Sequence, residues 1–244
     1  CSLRSAERVA DEIEECHSIH GVREIDFYDQ SFTVDRERTI AICREIIKRG
    51  IDITWTIRTR ADLIDEEMLS IMKKAGLRRI MYGIESGSQK VLDRLNKEET
   101  LETIQEKIVL TKDYNISMLG FFMLGCPGET EETLAQTRDF ILNTPFDDVQ
   151  IARFTLFPGT FFYETYKKRY NDEYWRDYIL GSRGAEALPL LDTRFTPDEI
   201  DAYIKKFYLL FYLRPRVIAQ KITGVRSLTQ MLRYPKALWD MTVQ

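Results

Sequence analysis

The stretch Arg78-Arg79-Ile80-Met81-Tyr82-Gly83-Ile84-Glu85-Ser86-Gly87-Ser88 decides how the chain is read. Ile80, Met81, Tyr82 and Ile84 form a short apolar run of the kind that builds a strand buried on both faces. The run stops at Glu85, small residues follow, and Val91, Leu92 and Leu95 open a helical pattern. A carboxylate is thereby set at a strand's carboxyl end, beside the start of a helix. In parallel α/β folds that edge is where ligands bind. A helix start offers unbonded N–H groups to an anionic group. Glu85 itself can accept hydrogen bonds from ribose hydroxyls or an ammonium group. The same residues fit a plainer reading, in which Ser88 caps a helix and Glu85 is solvated.

Outward from this stretch the same unit repeats. Val22–Asp29 reads as a strand ending in an acid, and Ile51–Ile57 as a β-branched strand followed by Arg58, Thr59 and Arg60. Ile116–Leu124 is a strand closed by Gly125-Cys126-Pro127-Gly128-Glu129-Thr130, and Asp148–Thr155 one closed by Phe157-Pro158-Gly159-Thr160. Between them lie helical stripes: Val9, Ile13 and Cys16; Ile40, Cys43 and Ile47; Met68, Leu69 and Met72; Leu134 and Ile141. Ser5, Asp65 and Thr100 stand where N-caps belong. Strand starts recur at roughly the 30 residues of a βαβ unit. Alternation of this kind implies a parallel sheet covered by helices. About five strands are too few for the eight of a closed barrel, which leaves a partial barrel or a doubly wound sheet.

The chain has 244 residues and a net charge of −4, with no general pull toward nucleic acid. No apolar run approaches the roughly 20 residues of a membrane span. Cys1, Cys16, Cys43 and Cys126 make no close metal-ligand pair. Cys16 and Cys43 sit on helical stripes and read as buried thiols of a reducing, cytoplasmic compartment. His17 and His20 end the first helix and read as charges favourable at a helix C-terminus. Residues 1–162 carry the alternating pattern; residues 163–244 read as a helical extension. From Arg214 to Lys236 there are six cations and no acid. That run is either a solvated basic face of a helical cap or a weak contact with a membrane surface or lipid substrate.

Every strand end carries something polar or small: Asp29 and Gln30, Arg58 and Arg60, Glu85 and Ser86, Gly125 and Glu129, Pro158 and Gly159. A site assembled from several strand ends needs this. Arg58 or Arg60 can clamp a carboxylate by two bonds, and Gly125 and Gly128 let a flat ring approach the backbone. The ligand indicated is small and zwitterionic, with a sugar and a ring. Alternatives stand beside each assignment. Asp29 can cap the next helix, Arg58 and Arg60 can pair with surface acids, and Pro127-Gly128 can be only a turn.

Six runs in order carry a family resemblance: Arg4-Ser5-Ala6-Glu7, Asp26-Phe27-Tyr28-Asp29-Gln30-Ser31-Phe32, Arg58-Thr59-Arg60-Ala61-Asp62, Tyr82 through Ser88, Phe122 through Thr130, and Phe157 through Thr160. Together they resemble the radical S-adenosylmethionine (SAM) enzymes, and most closely the branch that carries a cobalamin-binding domain. Phe211 through Pro215 resembles that branch's C-terminal part. The resemblance implies a partial (β/α)6 TIM-like barrel whose first strand lies before Arg4. It implies SAM and a [4Fe–4S] cluster as cofactors, with cobalamin as a third in the longer protein.

Carried over, Asp29, between Tyr28 and Gln30, stands where the SAM amino group is held. Arg58 is a candidate for the carboxylate, Glu85 with Ser86 for the ribose, and Leu124, Gly125, Phe157 and Pro158 for the adenine. The family's Cys-x3-Cys-x2-Cys loop, which ligates the cluster, is absent from this chain. No metal ligand and no catalytic residue is assigned, and the chain reads as a piece that does not cleave SAM alone. The expected function is radical SAM chemistry: cobalamin-dependent methyl transfer, or anaerobic ring or carbon modification of a small molecule or lipid. A tRNA-modifying methylthiotransferase lacks support from any basic β-rich appendage. A non-catalytic barrel that binds a nucleotide-like ligand or a partner is the reading from another class.

Overall fold

The computed structural model describes residues 3–184 and 188–223. Helix and strand alternate as α1 (Ala6–Ser18), β1 (Glu24–Asp26), α2 (Arg36–Lys48), β2 (Thr54–Thr59), α3 (Glu66–Lys74), β3 (Leu77–Glu85), α4 (Gln89–Arg94), α5 (Leu101–Asp113), β4 (Ser117–Leu124), α6 (Glu131–Asn143) and β5 (Asp148–Arg153). Four helices follow: α7 (Phe161–Tyr170), α8 (Tyr174–Ile179), α9 (Pro197–Tyr212) and α10 (Pro215–Thr223). The five strands form one sheet in the order β1-β2-β3-β4-β5. The pairings of β1 with β2, β2 with β3 and β3 with β4 are parallel. This is the partial β/α barrel with a C-terminal helical extension that the sequence implied.

The caps form as their chemistry dictates. Ser5, Asp65 and Thr100 each accept the N–H three residues on, from Arg8, Met68 and Thr103. Asp35, not Asp29, caps α2 by accepting the N–H of Arg38. Ser88 makes no side-chain cap at α4. Beneath the sheet, Trp55 donates its indole N–H to Ala75 O at 2.7 Å, and Phe27, Phe32 and Trp55 form a ring cluster. Tyr82, fully buried, bonds Thr111 of α5 at 2.7 Å, and that burial raises its pKa.

Several expectations are corrected. The first strand ends at Asp26, because only Phe27 N–H still reaches Thr56 O before the chain leaves the sheet. The second begins at Thr54; Ile51 and Ile53 are buried as core anchors ahead of it. On α2, Ile46 is buried and Ile47 exposed. Cys43 is buried, but Cys16 is only half-buried. The strand β3 is not buried on both faces: Ile80, Tyr82 and Ile84 are buried, while Arg79, Met81, Gly83 and Glu85 alternate with them half-buried.

The chain divides into two compact units that interleave in sequence. The first holds the residues up to Glu85, Glu98–Phe122 and Thr144–Gln150; the second holds Ser86–Lys97, Met123–Asn143 and the residues from Ile151 on. In the second, Tyr163, Tyr166 and Tyr174 pack with Phe154, Leu156 and Leu191. Arg214 donates to Leu142 O at 2.6 Å and lies over the ring of Phe211, so this cation of the basic run serves packing. On α10, Val217 is buried, and Ile218 and Ile222 are exposed. Arg226, Arg233 and Lys236 lie outside the described residues. Among the described residues no helix is long and apolar enough to cross a membrane.

Candidate ligand-binding site

In the first unit the carboxyl ends of β1, β2 and β3 share one edge of the sheet, because the strands pair in parallel. Asp29 and Gln30 are exposed in the loop after β1. That loop is tied down by hydroxyls: Thr59, the last residue of β2, bonds Ser31 at 3.3 Å and the buried Thr33. Thr33 and Thr59 are β-branched, with few rotamers, so the loop's polar tip stands on a stiff base.

Arg58 does not present a free fork. Its two Nη groups donate to the two carboxylate oxygens of Asp26 at 2.9 and 3.1 Å, and Nη1 also reaches Phe27 O at 3.1 Å. Its guanidinium carbon lies 4.0 Å from the ring centre of Tyr28. Asp26 thus occupies the geometry that a ligand carboxylate needs. The sequence left open that Arg58 pairs with an acid, but did not single out Asp26, which lies 32 residues away. Arg60 is likewise engaged, by Asp62 through two bonds.

Glu85 ends β3 in an unusual backbone state. Its φ is +71°, a left-handed conformation that costs a non-glycine residue roughly 1 kcal/mol. It falls at a register shift: Gly83 faces Phe121 and Glu85 faces Phe122, so two steps on β3 match one on β4. A bulge of this kind re-aims the side chain that follows it.

In the second unit the small residues serve the chain's own packing. Ser86 is fully buried and bonds Thr137 Oγ1 at 3.0 Å, and Thr137 also accepts Gly87 N–H at 3.1 Å. The Ser86 hydroxyl further accepts Ser88 N–H at 3.2 Å. These bonds seat the turn on α6. Leu124 is fully buried and its carbonyl accepts Phe154 N–H at 2.8 Å; its side chain supports the strand end from the core.

Gly125 and Gly128 have φ of +84° and +77°. The close approaches their missing side chains allow are made by Leu190 and Ile200 at Gly125, and by Arg94 at Gly128. A flat ring is therefore not what crowds them. Glu129 closes the loop. One carboxylate oxygen accepts Gly125 N–H and Cys126 N–H, the second at 3.2 Å. The other oxygen is buried without a partner among the described residues. Burial pushes the carboxyl pKa up to about 7, partly offset by the two N–H bonds. Phe157 is 56% exposed and stacks on Trp175 at 5.4 Å; Pro158 follows it in the turn before α7. The sequence could not reveal Thr137 and Trp175 as partners, because each acts across a chain separation that leaves no local pattern.

A family model for the radical SAM superfamily matches residues 1–141. The chain belongs to the radical SAM superfamily. Among relatives, an uncharacterized methyltransferase of Pyrococcus horikoshii is 32% identical over 222 residues, covering 89% of this chain and 47% of that protein. The anaerobic magnesium-protoporphyrin IX monomethyl ester cyclase of Rubrivivax gelatinosus is 35% identical over 158 residues, or 64% of this chain and 28% of that protein. The solved radical SAM methyltransferase TsrM from Kitasatospora setae, which holds cobalamin and a [4Fe–4S] cluster, superposes with a TM-score of 0.57 at 20% identity. That match covers 62% of this chain and 29% of TsrM. The chain spans about half or less of the length of the relatives it matches.

The radical SAM assignment brings an iron–sulfur cluster into question, and the residues can be tested against it. Among the described residues no group of three or more His, Cys, Asp or Glu could hold a metal ion. Cys16, Cys43 and Cys126 are not in disulfides and lie on separate elements. Burial pushes the Cys43 thiol up to about 12, far from the thiolate that a cluster requires. The described residues do not fit the cluster.

Proposed function

We propose that the protein to which this chain belongs is a radical SAM enzyme, and that this chain supplies much of its SAM-binding surface. Asp29 and Gln30 at the end of β1 take the amino group, with Tyr28 and Arg58 beside them. Glu85 takes the ribose hydroxyls. One observation carries this reading: a carboxylate is kept in a left-handed bulge at the ligand-binding edge of a parallel sheet. Glycine fills such a position at lower cost, and backbone strain of this kind clusters at ligand sites.

The reaction proposed is methyl transfer to carbon, or modification of a ring, on a small-molecule or lipid substrate. The names of the Pyrococcus and Rubrivivax relatives support this pair of outcomes. Cobalamin is proposed as a cofactor of the longer protein, supported by the TsrM likeness. SAM supplies the reactive group in such chemistry, and the protein's part is to bind and orient it. The test is equilibrium binding of SAM to the full-length protein reconstituted anaerobically. Glu85→Ala is expected to weaken SAM at least tenfold; unchanged affinity removes Glu85 from the site.

A further inference from the structure

Three residues at the carboxyl end of β2 reach across to the chain that leaves β1. Thr56 O accepts Phe27 N–H at 3.0 Å. Arg58 donates to both carboxylate oxygens of Asp26 and to Phe27 O, and lies 4.0 Å from the ring centre of Tyr28. Thr59 bonds Ser31 and Thr33. The loop is thus held at both of its ends. Asp29 and Gln30 lie between the two holds, with exposed side chains that no hydrogen bond or ion pair engages among the described residues.

An exposed ion pair usually contributes little, because two long side chains lose rotamer freedom for one screened contact. The pair of Arg58 with Asp26 is built otherwise. The Arg58 side chain is only 20% exposed, its fork meets the carboxylate by two bonds, and the same head group serves a backbone carbonyl and a ring. A lysine is a point charge and cannot make these contacts together. A ligand carboxylate arriving at Arg58 has to displace Asp26, and it replaces two bonds by two of the same kind. The geometry therefore favours Arg58 as a brace for the loop over Arg58 as a ligand clamp.

We propose that Arg58 is a positioning residue: paired with Asp26, it fixes the exit of β1 and so aims Asp29 and Gln30 at their ligand, without touching that ligand itself. This rests on the reading that Asp29 and Gln30 take the amino group of SAM, and it adds how they are kept in place. Side chains that meet a ligand from an exposed loop bind well only if the backbone beneath them is already ordered. Thr59 orders one end of this loop and Arg58 the other.

The experiment measures two quantities on the full-length protein reconstituted anaerobically: amide hydrogen exchange over residues 28–34 without SAM, and SAM affinity by equilibrium dialysis. Arg58→Ala and Arg58→Lys should each accelerate the exchange and weaken SAM about tenfold. Asp26→Ala decides the sign, because it releases the fork of Arg58. A positioning role gives weaker SAM, by about threefold; a fork that itself binds the carboxylate gives tighter SAM. Exchanging the partners, Asp26→Arg with Arg58→Asp, rebuilds the ion pair with no cation at position 58. It should slow the exchange again and bring SAM affinity back to within about threefold of the wild type. The Asp26 side chain is 46% exposed, so its replacement leaves the fold intact, checked by circular dichroism. The proposal is overturned if exchange stays slow in Arg58→Ala, if exchange accelerates there with SAM affinity unmoved, or if Asp26→Ala tightens SAM. It is overturned too if the exchanged pair restores the loop and still binds SAM as weakly as Arg58→Ala. Glu85→Ala keeps the two readings apart: it should weaken SAM with the exchange over residues 28–34 unchanged. Unchanged SAM affinity in that variant removes Glu85 from the site and leaves the role of Arg58 to its own variants.

Discussion

Glu85 stands opposite Phe122 across the β3–β4 pairing, with its backbone in the left-handed region and one residue of β3 bulged out before it. The bulge fixes where the last side chain of the strand goes. Two substitutions separate folding from binding at this position. Glu85→Gly relieves the strained φ, while the unfolded chain gains freedom, so stability is expected to change by no more than about 1 kcal/mol. SAM binding by Glu85→Gly should nevertheless fall as far as in Glu85→Ala. Urea denaturation alongside a SAM titration checks both halves.

Thr59 anchors the loop that carries Asp29. Thr59→Val removes the hydroxyl shared by Ser31 and Thr33. Thr33 is buried and keeps an unsatisfied hydroxyl, at a cost of about 1–3 kcal/mol. The loop tip should loosen with it. Amide hydrogen exchange across residues 28–34 should accelerate in the variant and stay slow in the wild type; equal rates refute the anchor.

Gly87 lies so close to α6 that a methyl group there meets Phe140 Cβ at 2.5 Å and Thr137 Cα at 2.7 Å. The second of these is backbone and cannot swing aside. Gly87→Ala is expected to destabilise by about 3 kcal/mol, the upper part of the range for overpacking. A thermal melt within a degree of the wild type's refutes the tight seat.

Glu129 makes stability depend on pH. Its folded pKa, about 7, lies above the ordinary 4.5 of a glutamate because burial disfavours the carboxylate. The folded state therefore binds the proton more tightly than the unfolded state does. The stability this provides is complete below about pH 4.5 and is lost as pH rises through 7, by about 3 kcal/mol in all. Glu129→Gln keeps an oxygen for Gly125 and Cys126 N–H and cannot ionise, so it should flatten the slope between pH 5 and 7.5. Denaturant midpoints at those two pH values decide it.

Thiol reactivity follows burial. Cys43, pushed up to about 12, and Cys126, fully buried, should react with a disulfide reagent only after denaturant is added. Cys16, half-buried on α1, should react in the native protein. Rapid native labelling of Cys43, read by peptide mass, contradicts the packing of α2.

The fold was legible because its signals are local. The caps at Ser5, Asp65 and Thr100 act over three residues, and the stripes on the helices over one or two turns. The boundaries of β1 and β2 were less legible, since Ile51 and Ile53 are as apolar as strand residues but anchor the approach to the sheet instead. At the site, the run of polar strand ends could be read, but not what each end does. Ser86 and Gly125 look like ligand contacts in sequence. Their neighbours in the fold, Thr137, some 50 residues from Ser86, and Leu190 and Ile200, still farther from Gly125, leave no local pattern.

Local pattern in the sequence was enough for the alternation of strand and helix, the parallel sheet and the family, and it put Asp29, Arg58 and Glu85 at or just beyond strand ends. Tertiary structure alone decided that Arg58 is held by Asp26 under Tyr28, that Glu85 sits in a left-handed bulge, and that one face of β3 stays half open. Spacing and capping are contests within a few residues, which the local chain resolves. A side chain's partner at a sheet edge depends on register and on which distant hydroxyl, carboxylate or ring arrives there, and only the assembled sheet sets that.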